Sequence, residues 1–148
     1  MTIPEIQEPV GRKAAPVCTL HVAKDDKVLL ARLAGPALTP ATLSAFDDAI
    51  RTFTAKWGVH RDLLDFSAVE DASDLPSKFI ANRSQFEPVP HVRLVLVASK
   101  PAIFGLCRMY ASYQRATSGE DPAVVSTMDQ AYAALSLQPS TQWAEAEY

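Results

Sequence analysis

The run VRLVLVA (residues 92–98), joined through Ser99 and Lys100 to PAIFGLCRMYASYQRAT (residues 101–117), decides the fold. The first half is β-branched and apolar on both of its faces. A strand of that kind is buried front and back, as in the middle of a parallel sheet. The second half opens on proline, which a helix accepts at its first position. Apolar residues then recur at helical spacing around one arginine, Arg108. A buried strand running directly into a helix implies a crossover and a further parallel strand beyond it.

Working outward, the same alternation repeats. Upstream, HRDLLDFSAV (60–69) reads as a strand and DASDLPSKFIANRSQF (71–86) as a helix, with Ser73 or Asp74 as cap and Pro76 in its first turn. Pro88 and Pro90 then break the chain. Before that pair, Thr39-Pro40 starts a helix with a hydroxyl cap followed by proline. Leu43, Phe46, Ile50, Phe53 and Trp57 form its apolar stripe, and Gly58 ends it. VCTLHVAKDDKVLLARLAG (17–35) reads as an antiparallel hairpin turning at Asp25-Asp26. Downstream, AVVST (123–127) is a short strand and MDQAYAALSL (128–137) a final helix. The order β-β-α-β-α-β-α-β-α predicts an α/β domain with a mixed, mostly parallel sheet of about five strands and four helices. Residues 1–15 read as a flexible tail, 16–137 as a single domain, and 138–148 as a mildly acidic C-terminal tail.

Composition narrows the function classes. Of 148 residues, 48% are hydrophobic and 21% charged, a globular balance. A net charge of −3 with no basic cluster argues against nucleic acid or an anionic membrane surface as partner. No apolar run approaches the roughly 20 residues a bilayer span needs, and the N-terminus lacks the apolar core of a signal peptide. Cys18 and Cys107 are far apart with no metal-ligand spacing, so free thiols in a reducing cytoplasm are expected.

Chemistry-bearing residues are sparse. No nucleophile elbow, phosphate-cradling loop or dinucleotide fingerprint is present, and no catalytic set, metal or cofactor is expected. Glu70, Asp71 and Asp74 cluster without calcium-loop spacing. Strand ends in doubly wound sheets form sites beyond their carboxyl termini. There the chain offers Asp65, Ser67, Ser99 and Lys100, and an Asp65–Lys100 contact would suit a small pocket. The same residue types also collect at strand ends simply as helix caps. On helix 101–117 the apolar arc spans more than half the circumference, leaving Gly105, Arg108, Ser112 and Arg115 as its polar sector. That width must be covered by a neighbouring helix, a second subunit or a ligand. A homodimer or partner interface would use Phe104, Arg108, Met109, Tyr110, Ser112 and Tyr113.

Three pieces of wording resemble a known family. Asp65-Phe66-Ser67-Ala68-Val69, Phe104-Gly105-Leu106-Cys107-Arg108-Met109-Tyr110, and the helix from Met128 to Leu135 are similar to the STAS-like (anti-sigma-factor-antagonist-like, SpoIIAA-like) α/β domains, in a branch of small bacterial proteins. The resemblance covers about residues 17–137. It implies a non-enzymatic, cytoplasmic module that binds a protein partner. Regulatory members are phosphorylated on a serine at the start of the helix after the third strand, where added charge alters binding. Counted from Asp65, that position is Asp74, and Leu75-Pro76 stands where a small pair should follow. The switch therefore carries over only to Ser73 or Ser77 by a shift of register. The alternative class, a small-molecule or lipid binder or a small enzyme, has relatives in the lipid-binding branch of STAS/SEC14-like folds and needs a roomy apolar cavity.

Overall fold

The structure, a computed structural model, describes residues 17–83 and 91–146. The hairpin forms as expected: β1 (Val17–Ala23) and β2 (Val28–Gly35) pair antiparallel across the Lys24–Lys27 turn. β3 (Arg61–Val69), β4 (Leu94–Val97) and β5 (Ala123–Val125) follow in parallel, giving the strand order β5-β4-β3-β2-β1-β6. The sheet thus has six strands where the sequence suggested about five. The sixth, β6 (Ala144–Glu145), lies in the stretch read as a tail and pairs antiparallel with His21 and Val22. Trp143 anchors that return by donating its indole N–H to the Tyr132 hydroxyl at 2.6 Å. The expected tail at residues 1–15 lies outside the described residues.

α1 (Pro40–Trp57) begins where its signals place it. Thr39 and Thr42 cap each other's backbone N–H groups, and Gly58 closes the helix with φ near 90°. α3 (Pro101–Ser118) ends on Gly119 in the left-handed conformation, which glycine adopts without strain. α2 (Ser77–Arg83) starts later than expected, because residues 71–76 form a turn: Leu75 N–H reaches the Ala72 carbonyl and Asp71 accepts from Ser73. Its expected extension beyond residue 83 lies outside the described residues. α4 (Met128–Ala134) carries a Thr127–Gln130 capping box.

From β2 to β5 each new strand is added on the same side of the last. Right-handed crossovers must then deliver α1, α2 and α3 to one face. That face holds the larger core, where Leu29, Phe46, Phe53, Phe66, Leu96 and Ile103 meet, with Phe46 and Phe66 edge to face at 5.5 Å. The opposite face carries a smaller core under α4, built on Val28, Leu30, Leu63, Val95, Val97 and Tyr132. α1 and α3 have 18 residues each and α2 has 7. Between α1 and α3, with the described part of α2 at one end, the described residues leave a gap over β3 and β4.

Candidate functional site

A cavity of about 500 Å³ occupies that gap. Its floor is Leu64 and Phe66 of β3 with Leu94 and Leu96 of β4. Leu43 of α1, Phe79 and Ile80 of α2, and Ile103, Leu106 and Cys107 of α3 make apolar walls. Because α1 and α3 run antiparallel to the strands they join, the cavity has two unlike ends. Toward the carboxyl ends of the strands it is mostly apolar, closed by Leu38, Phe66, Leu75 and α2, with Ser44 of α1 also in the lining. Toward their amino ends it turns polar, with Asp47, Asp48, Arg51, His91 and Asp62 in the lining.

Asp62 is the feature that sequence reading passed over. Alternation along β3 puts Asp62, Leu64 and Phe66 on the cavity face and Leu63 and Asp65 on the other. Its neighbours in the cross-strand row are Leu29 and Leu94, both apolar. The residue is 2% exposed, and its Oδ1 is buried with no hydrogen-bond partner. Burial pushes the carboxyl up to about 8, so at neutral pH the proton stays on. An acidic residue two positions before Leu64 and four before Phe66 on one face of the strand was the available signal.

The strand-end residues are brought near one another but are used internally. Arg32 donates from Nε to Asp65 Oδ2 at 3.1 Å, and the other Asp65 oxygen accepts from the Ser67 backbone at 2.9 Å. Lys100 donates to the Val69 carbonyl at 2.8 Å and the Ser67 carbonyl at 3.3 Å, tying off the end of β3. Asp65 and Lys100 thus take separate partners, and Ser99 is exposed. A sheet wound to one side only has no reversal of strand order between β2 and β5, so the crevice that doubly wound sheets open at their carboxyl ends does not arise there. On the α4 face, Thr19, Arg32 and Asp65 form one cross-strand row, in which Thr19 Oγ1 and Arg32 Nη1 are buried without partners.

The polar sector of α3 is where the helical wheel puts it: Gly105, Arg108, Ser112 and Arg115 are all exposed. Phe104, Met109 and Tyr110 are half-buried against the chain's own core, while Tyr113 is 36% exposed. Arg108 is thus the wet edge of a packed helix. Ser73 and Ser77 are both exposed. The Ser73 hydroxyl donates to Asp71 Oδ2 at 2.6 Å in the turn ahead of α2, and Ser77 is the first residue of that helix. Cys18 and Cys107 are free, and burial pushes their thiols up to about 11 and about 12, which leaves them unreactive. His60 and His91 precede β3 and β4 at the edge opposite Asp65, and His91 meets Glu120 at 3.0 Å. Among the described residues no cluster of His, Cys, Asp or Glu could hold a metal ion, and no helix is long and apolar enough to cross a membrane. Comparison with protein-family models and with curated proteins gives no match to this chain.

Proposed function

We propose that this chain is a binding domain for a small, largely apolar molecule, which lies between α1 and α3 with its polar end at Asp62. One observation carries the reading: a cavity of about 500 Å³ with apolar walls and a single buried carboxyl oxygen lacking any partner. Protein interiors are close-packed and buried polar atoms are normally bonded. A space of this size with mostly apolar walls, one polar end and an unmet polar atom has the make-up of small-molecule sites. The STAS-like resemblance belongs to the same proposal through its lipid-binding relatives, and free thiols at Cys18 and Cys107 favour a cytoplasmic setting.

The test is to fill the space. Leu64 lies on the floor of the cavity, and Leu64→Trp would place an indole where the ligand sits. Overpacking a closed core costs about 1–3 kcal/mol. Here the parent chain is expected to bind the apolar fluorophore N-phenyl-1-naphthylamine, and the variant to keep its melting temperature and lose that binding. A parent that binds no fluorophore, or a variant that binds it equally well, contradicts the proposal.

A second reading keeps the chain as a protein-interaction module, homodimeric through α3. Its support is narrower, since Phe104, Met109 and Tyr110 are engaged by the same subunit and only Arg108, Ser112 and Tyr113 remain outward. A phospho-switch at Ser73 or Ser77 belongs to this reading, favoured by the exposure of both hydroxyls.

A further inference from the structure

We infer that the molecule held in the α1–α3 cavity is an amphiphilic amine, whose protonated nitrogen is received by Asp62 and whose apolar body runs toward α2. This rests on the binding role proposed above and adds the chemical class of the ligand. Four features of the cavity lead there.

The first is its polarity along one axis. From the mostly apolar end at Leu75, Phe79 and Ile80 to the polar end at Asp62, it is shaped for a molecule with one polar terminus. The second is the state of Asp62 itself, 2% exposed with Oδ1 unmet, between Leu29 and Leu94. A buried carboxylate without a counter-charge is strongly disfavoured, and an ammonium placed against it forms a charge-assisted hydrogen bond that offsets the loss of solvent.

The third is the charge around it. Among the described residues, the titratable groups facing the polar end are Asp47, Asp48 and Arg51 of α1, His91 ahead of β4, and Cys107 and Tyr110 of α3, while Phe79 and Ile80 of α2 line the other end. With Asp62 these described groups make three carboxyls against one guanidinium and one imidazole, and the imidazole already meets Glu120. A carboxylate ligand would be repelled. An alcohol could bond to Asp62 but would gain nothing from the acidic rim. The fourth is the proton balance. In the free chain burial keeps the carboxyl protonated up to about pH 8. Binding of an ammonium then gives a carboxylate–ammonium pair and releases the Asp62 proton to solvent.

The experiment uses three probes of equal chain length, decylamine, decanol and decanoate, titrated calorimetrically into the full chain and its Asp62→Asn variant. At pH 7, in two buffers of different ionisation enthalpy, decylamine is expected to bind at least about tenfold more tightly than decanol, a gap of about 1.4 kcal/mol. It should release a proton on binding, and decanoate should bind least. Asp62→Asn should abolish both the amine preference and the proton release. Equal binding of amine and alcohol, or an amine preference that survives Asp62→Asn, overturns the ligand class but leaves the cavity as a site. If none of the three probes binds, the cavity reading falls with it.

Discussion

A carboxyl flanked by Leu29 and Leu94 and without a partner has nothing to gain from ionising. Asp62 consequently ties folding stability to pH. Its pKa rises from an ordinary 3.8 to about 8 in the folded chain. Between those values the folded state keeps a proton that the unfolded state has given up, so stability falls as pH rises from about 4 to about 8. At about 1.4 kcal/mol per pH unit, the penalty at neutral pH is on the order of 4 kcal/mol. Asp62→Asn removes the titration. It is expected to raise stability against urea by a few kcal/mol at pH 7 and to change it little near pH 4. A gain that is the same at both pH values would show that Asp62 does not titrate in this window. The cap of α1 was legible as residues because Thr39-Pro40 acts locally. Asp62 was not, since its meaning depends on which face of β3 the helices cover.

The three helices on the large core differ in how much of themselves the sequence disclosed. α1 shows a narrow stripe, Leu43 to Trp57, and buries it as far as Phe53, leaving Trp57 exposed. α3 shows an arc too wide for a sheet alone, and the wheel could not say what covers it. Within the subunit the excess is shared: Leu106, Cys107 and Tyr110 border the cavity, and Phe104 and Met109 pack on the core beside α2. α3 therefore needs no second subunit to cover its apolar side. Tyr113→Asp is expected to leave both melting temperature and sedimentation behaviour unchanged. A dimer of the parent chain that dissociates in this variant would restore the interface reading. The late start of α2 was hidden by Pro76, which reads as a first-turn residue but stands before the helix, after a turn held by Asp71 and Ser73.

For the whole molecule, the order of elements was readable and the order of strands was not. Crossover handedness follows from chain chirality, but nothing local tells a growing sheet to add every strand on the same side. That choice puts α1, α2 and α3 on one face and leaves the carboxyl edge of the strands without a crevice. There Asp65 and Lys100 are taken up by Arg32 and by backbone carbonyls. Among the described residues it also leaves a gap above β3 and β4, between α1 and α3. β6 escaped notice for a related reason: two residues pairing at a sheet edge have no periodicity to read. The central claim is that this gap is occupied in the cell. Native mass spectrometry of the chain purified from its own host tests it most directly. A small non-covalent adduct that is absent from the Leu64→Trp variant is the expected result. A bare mass for the parent chain under equally gentle conditions would contradict it.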